Sequence, residues 1–253
     1  MIVTFLGTGT SQGVPVIACD CPVCSSLDYK DKRLRSSIHI NVNETSIVVD
    51  TGPDFRQQML RENINKLDAV LYTHAHKDHT AGMDDIRSFN FMQNMDMPIY
   101  ARNSVIEQLK QEFSYVFETV KYPGVPRVEI NILDGQPFKI SEVEITPIET
   151  LHYKLPVFGF RINNFAYITD TNYISDGEKK KLKGLEVLVL NTLQKEKHIS
   201  HFNLEEALEL IRELQPSQTY LIHMSHKIGK HSDIQASLPN HVYLAFDGLK
   251  IEM

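Results

Sequence analysis

Residues Ala69-Val70-Leu71-Tyr72-Thr73-His74-Ala75-His76-Lys77-Asp78-His79 carry the clearest signal in the chain. The apolar run Ala69–Tyr72 reads as a short buried strand, and ligand-type side chains begin where that run stops. Sites commonly sit at such loop ends, because a rigid strand fixes the loop while its side chains stay free to bind. His74, His76, Asp78 and His79 put four ligands into six positions, enough to face two neighbouring metal positions. Imidazole and carboxylate together suit borderline divalent ions such as Zn, Mn or Fe. The competing reading is a polar surface loop rich in histidine, but random loops seldom place so many ligand types at this spacing.

A second cluster lies upstream. Cys19, Cys21 and Cys24 are the three cysteines of the chain, all within six positions. An odd count packed so tightly is no disulfide framework. Thiolate ligation of a soft or borderline metal is the better use of them. Three thiolates are one short of a closed tetrahedron, so a fourth ligand is expected from elsewhere. Buried small hydrophobes are the alternative, and Asp20 and Pro22 between the cysteines argue instead for a loop.

Around these clusters the chain reads as folded and globular. Of 253 residues, 42% are hydrophobic and 23% charged, with 26 Lys+Arg against 32 Asp+Glu and a net charge of −6. That balance argues against a broad nucleic-acid face. No apolar run approaches the ~18 residues of a membrane span, and Met-Ile-Val-Thr-Phe-Leu-Gly shows no secretory signal, so a cytoplasmic protein away from membranes is expected. Gly7–Gly13 is a loop by composition, without the ending of a phosphate-cradling motif.

Ser37–Val42 and Thr45–Asp50 read as a hairpin, and Asp54 as the cap of a helix through about Glu62. The spacing predicts helices over Ser104–Phe117, Asp176–Leu182 and Leu204–Leu214, the last capped by Asn203. Strand-like runs fall at Val128–Leu133, Val143–Ile148, Phe158–Ile162, Phe165–Ile168, Leu185–Leu190 and Tyr220–Ile222, and Lys121–Arg127 reads as a loop. With no repeat and no linker, one domain over residues 1–253 is expected: an α/β fold of two packed sheets with helices outside.

His74-X-His76-X-Asp78-His79 resembles the signature of the metallo-β-lactamase superfamily of hydrolases, whose fold is a four-layer αββα sandwich with a dinuclear site at the strand ends. The resemblance implies three further ligands, and His152, Asp170 and His223 each follow a strand-like run. Carried over by position, His74, His76 and His152 hold one metal. Asp78, His79 and His223 hold the other, and Asp170 bridges. A hydroxide between two such ions is a nucleophile near neutral pH, and the same ions stabilise the charge that builds on a phosphodiester. Asp78 and Asp170 thereby belong to the catalytic set. The resemblance also implies a general acid ahead of the Leu204–Leu214 helix; His201 matches that place best, with His198 as runner-up. Asp50 could orient a metal-bound histidine.

The cysteines narrow the branch. With His226, three residues after His223, they make a Cys3His set, a closed structural zinc site. This pattern resembles the PhnP-like branch, cyclic phosphodiesterases of the carbon–phosphorus lyase pathway. Arg35-Ser36-Ser37, Asp50–Arg56, Leu204–Leu208 and Phe246–Leu249 extend the match. It implies a small phosphodiester such as a ribosyl 1,2-cyclic phosphate as substrate, two Zn or Mn ions in the active site, one structural Zn, and a homodimer among the possible assemblies. A tRNA 3′-processing endonuclease shares the ligand set, but this chain has no glycine-rich basic arm and its charge does not suit RNA. A non-catalytic cofactor-biosynthesis relative shares the cysteine site, but would lack the histidines present here. His39 is expected to be a satisfied strand histidine, and Lys227, Lys230 and His231 a solvated loop. Asp84–Asn94 and Tyr122–Arg127 are the expected specificity loops.

Overall fold

The computed structural model describes residues 1–120 and 122–253. Its first sheet holds β1 (Ile2–Gly7), β2 (Ser37–Val42), β3 (Thr45–Val49), β4 (Ala69–Leu71), β5 (Met97–Arg102) and β6 (Val128–Leu133). The second holds β7 (Phe138–Ile140), β8 (Val143–His152), β9 (Leu155–Ile162), β10 (Phe165–Ile168), β11 (Tyr173–Ile174), β12 (Val187–Asn191), β13 (Gln218–Ile222) and β14 (Val242–Leu244). A last strand, β15 (Lys250–Glu252), returns to the first sheet, whose order is β15-β1-β2-β3-β4-β5-β6. The second runs β11-β8-β9-β10-β12-β13-β14, with β7 paired to β8.

Period-two alternation sets the layers. In β3, Ile47 and Val49 join the core between the sheets while Val48 joins the core outside the first sheet. In β12, Val187 and Val189 face inward, and Leu188 and Leu190 pack against the outer helices of the second sheet. Both faces of these strands are buried, so they read as unbroken apolar runs.

The helices are α1 (Phe55–Glu62), α2 (Lys77–Thr80), α3 (Arg87–Gln93), α4 (Asn103–Glu112), α5 (Ser114–Phe117), α6 (Asp176–Lys181), α7 (Leu204–Leu214) and α8 (His231–Gln235). Phe55, Met59, Phe89, Ile106 and Leu109 seal the first sheet, and Ala207, Leu210, Ile211, Leu214 and Ile234 the second. This is the expected four-layer αββα sandwich. Among the described residues, no helix is long and apolar enough to cross a membrane.

Two expectations need correction. Ser104–Phe117 is not one helix: Phe113 leaves helical geometry (φ −118°, ψ 44°) and separates α4 from α5. Phe113 and Val116 nevertheless both stay buried in the first sheet's outer core. Asp84–Asn94 is not a loop but a 3-10 turn, Met83–Ile86, running into α3, because Met83, Ile86 and Phe89 bury against the same core. Lys121, the first residue of the expected loop Lys121–Arg127, lies outside the described residues.

Asn203 caps α7 as expected: its side chain accepts from Glu206 N at 2.9 Å, and the Glu206 carboxylate accepts from Asn203 N at 3.1 Å. Asn203→Ala is expected to lower stability by about 1 kcal/mol, read from the urea midpoint. An unchanged midpoint would show that the cap does not hold the helix.

Candidate functional site

The candidate residues lie where strands end. Asp50 follows β3, Asp170 comes two residues after β10 and His223 follows β13, all three with positive φ (65°, 50° and 56°). That left-handed backbone costs roughly 1–2 kcal/mol per non-glycine residue, and such strain collects at ligand-binding sites. His76 is the N-cap of α2, which places Asp78 and His79 in the turn that follows. Backbone packing holds this turn in place: a Cβ on Gly52 would lie 2.2 Å from Asp78 O, so only glycine fits there.

Asp50 is buried and accepts from Thr73 N and Thr73 Oγ1, each at 2.8 Å, while its Oδ2 lies 2.7 Å from His79 Nδ1. The second nitrogen of His79 is thereby directed to the centre, where Nε2 lies 3.2 Å from Asp78 Oδ2 and 3.2 Å from Asp170 Oδ2. His223 Nε2 is 3.0 Å from Asp170 Oδ1 and 3.6 Å from Asp78 Oδ2. Asp78, His79, Asp170 and His223 therefore converge, as the sequence predicts for one metal position. Burial opposes a charge on Asp170, but His223 and His79 outweigh it and hold the carboxyl well below its usual range. Burial likewise draws His223 down, yet Asp170 and Asp78 carry it up to about 9.

Asp170 also belongs to a second cluster, with His152 and His201, so it is the shared member that a bridging residue must be. His201 Nε2 lies 3.1 Å from Asp170 Oδ1, and His152 Nδ1 lies 2.9 Å from Ser200 O. His74 and His76 reach this side by ring contact: their ring centroids are 5.7 and 5.1 Å from that of His152. Among the described residues, neither belongs to a set of converging donor atoms. Instead His74 Nε2 lies 3.0 Å from His76 Nδ1. Burial, with His79 beside it, drives His74 well below the usual imidazole range, which leaves a neutral ring suited to ligation. His198 stands outside, exposed, its Nδ1 3.2 Å from His201 Nδ1.

The cysteine cluster closes on the predicted fourth ligand. His226 Nδ1 lies 3.3 Å from Cys19 Sγ, 3.3 Å from Cys21 Sγ and 3.5 Å from Cys24 Sγ. The Cys24 backbone N–H lowers Cys21 to about 6, while burial raises Cys24 to about 11. His39 on β2 is satisfied by Ser46 Oγ of the neighbouring strand β3 at 2.8 Å. Lys227 and Lys230 are solvated, but His231 is buried against Arg33 at 3.2 Å and is no part of a solvated loop.

Residues 45–224 match the beta-lactamase superfamily domain. A diphosphatase from the PhnP family has a crystal structure that superposes with a TM-score of 0.93 at 37% identity, covering 99% of this chain and 96% of that one. The chain belongs to the metallo-β-lactamase superfamily, in its PhnP-like branch. Zn(2+)-bound PqqB from Methylobacterium extorquens shares the fold at TM-score 0.80 and 17% identity, each chain covered in full (100%). The octanoyltransferase of Porphyromonas gingivalis is 36% identical over 248 residues, 97% of this chain and 50% of that protein. The chain spans about half the length of the first curated relatives that it matches. Its fold is that of the metallo-hydrolases of this superfamily.

The residues present fit the metals that this superfamily implies. Among the described residues, buried His79 Nε2 and His223 Nε2 have no hydrogen-bond partner, an orphaning that a cation would relieve. Ligands at usual zinc distances lie about 3.3 Å apart for nitrogen–oxygen pairs and about 3.5 Å apart for sulfur–nitrogen pairs in a tetrahedron. The separations around Asp170 and around His226 fall close to these values.

Several supporting residues escaped the sequence reading. Asn191, at the end of β12, clamps the Asp170 loop, accepting from Thr171 N and donating to Thr171 O, each at 3.0 Å. Buried threonines recur at the strand ends (Thr51, Thr73, Thr169, Thr171 and Thr192), and that repetition was the available signal. Asp50→Asn is expected to weaken zinc binding at the Asp78/His79 position about 10- to 100-fold, measured by competition with a chelating dye. An affinity equal to that of the unaltered protein would show that His79 needs no such anchor.

Proposed function

We propose that the protein hydrolyses a small or cyclic phosphate diester, a ribosyl 1,2-cyclic phosphate being one such substrate. The observation that carries this reading is His201 set against Asp170 at 3.1 Å, directly beside the converging donor cluster. Asp78, His79, Asp170 and His223 would hold one divalent ion, and His74, His76 and His152 a second, with Asp170 between them. Zn or Mn ions there supply Lewis acidity, which activates water and neutralises phosphate oxygens. The Cys19/Cys21/Cys24/His226 set would hold a structural zinc.

In the hydrolysis a water oxygen bonds to phosphorus, the ester P–O bond breaks, and the departing alkoxide needs a proton. His201 would give it. Burial draws His201 down to about 4 although Asp170 favours its charged form, so delivering a proton from it would require the negative charge of the bound phosphate to raise it. His198 is too exposed for the same control, which supports His201 as the acid. All seven expected ligand residues are present in the sequence, which supports catalysis over a purely structural role.

The likeness to the PhnP-family diphosphatase favours a second reading, with a phosphoanhydride as the bond cleaved. A phosphate leaving group departs without help, whereas an alkoxide does not. His201→Ala separates the two. On an alkyl or cyclic diester the variant is expected to lose about 10²- to 10⁴-fold in kcat. On bis(p-nitrophenyl) phosphate, whose leaving group is stable as an anion, the loss is expected to be much smaller. Equal losses on both would remove His201 as the acid, and no hydrolysis of any diester by fully metal-loaded protein would overturn the phosphodiesterase reading.

A further inference from the structure

Tyr153 follows His152 directly and opens the two-residue turn between β8 and β9, in which His152 pairs with Leu155. Its φ is +57°, a conformation that glycine or asparagine adopts freely and a bulky side chain does not. The strain is held by specific bonds. Tyr153 N donates to Asn172 Oδ1 at 2.7 Å, Asn172 N donates to Leu151 O at 2.9 Å, and Asn172 Nδ2 donates to Ile199 O at 3.2 Å. One asparagine thus ties the turn to the segment that carries His198 and His201, and His152 ties the same two segments through Ser200 O. The tyrosine fixed in this way is 49% exposed, as are Tyr173 (54%) and Ile199 (67%) on the neighbouring segments. Lys154 Nζ lies 5.3 Å from the Tyr153 ring centroid.

A strained, half-exposed aromatic side chain directly after a candidate ligand does not serve burial, and held backbone strain of this kind collects at ligand clamps. We propose that the Tyr153–Lys154 turn is the specificity element of the site: Tyr153 stacks on a flat ring in the organic part of the substrate, a nucleobase or aryl group, and Lys154 meets an anionic group attached to it. This rests on the phosphate-ester reading above and names the class of ester. Because Asn172 fixes the backbone, the ring stands ready at little entropic cost.

The test uses two substrates with one chromophore, thymidine 5′-(p-nitrophenyl phosphate) and methyl p-nitrophenyl phosphate. Stacking of one base on an aromatic ring is worth about tenfold or more in binding. In Tyr153→Ala the ratio of kcat/KM, nucleoside ester over methyl ester, is expected to fall about tenfold, mainly through KM. Tyr153→Phe is expected to keep the ratio, because the ring is retained. If both esters slow together and the ratio holds, Tyr153 only positions His152 and the proposal is overturned.

If the metal-loaded protein hydrolyses neither ester, the phosphodiesterase reading has failed by itself. Thymidine 5′-monophosphate binding, followed by calorimetry, then decides the subsite. A loss of about tenfold in affinity in Tyr153→Ala upholds the subsite, and equal affinity, or no binding to the unaltered protein, overturns it.

Discussion

Asp170 is a buried carboxylate with imidazole nitrogens of His79, His201 and His223 within 3.2 Å, and the centre of the molecule is arranged around it. A charge so enclosed is tolerated only when opposite charge meets it, because desolvation otherwise forces it neutral. The imidazole nitrogens of His79 and His223 face it in the structure, and a divalent cation meets that charge more completely. The same constraint explains the surroundings. Asp50 must anchor His79 from behind, Thr73 must satisfy Asp50, and Asn191 must hold the loop on which Asp170 sits.

The sandwich supplies rigidity where these groups need it. Strands β3, β4, β10, β12 and β13 are buried on both faces, and their ends deliver Asp50, His74, Asp170, Asn191 and His223 to one rim. The cysteine site shares that rim by chain continuity, since His226 lies three residues beyond His223. Met224, between them, is stitched to the Gly7–Gly13 loop by Met224 N donating to Thr8 O at 3.0 Å and Thr10 N donating to Met224 O at 3.1 Å. The glycine- and threonine-rich loop, which looked faintly like a nucleotide cradle, therefore braces the two candidate metal positions.

Much of this was legible in the residues. His74-X-His76-X-Asp78-His79 declares itself because its candidate ligands are contiguous, and the three cysteines announce a missing fourth group, beside which the structure brings His226. Asp170 and His223 were found only as members of an ordered set, since their left-handed backbone leaves no local pattern. Other features are tertiary facts. The break at Phe113 leaves no mark in the apolar spacing, and Asp84–Asn94 is helical because Met83, Ile86 and Phe89 bury together. The close approach of His74 Nε2 to His76 Nδ1, instead of joint convergence with His152, is likewise set by packing that no spacing rule expresses.

The central claim is that the strand-end cluster and the cysteine cluster are separate metal sites. The most direct measurement is metal content per chain, by mass spectrometry of the elements, for the protein purified without chelator and for Cys24→Ser and His76→Ala. The account predicts three ions per chain, with a zinc lost from Cys24→Ser and an active-site ion lost from His76→Ala while the cysteine-bound zinc stays. A single ion per chain that persists in His76→Ala and vanishes in Cys24→Ser, even with Zn or Mn added, would contradict it.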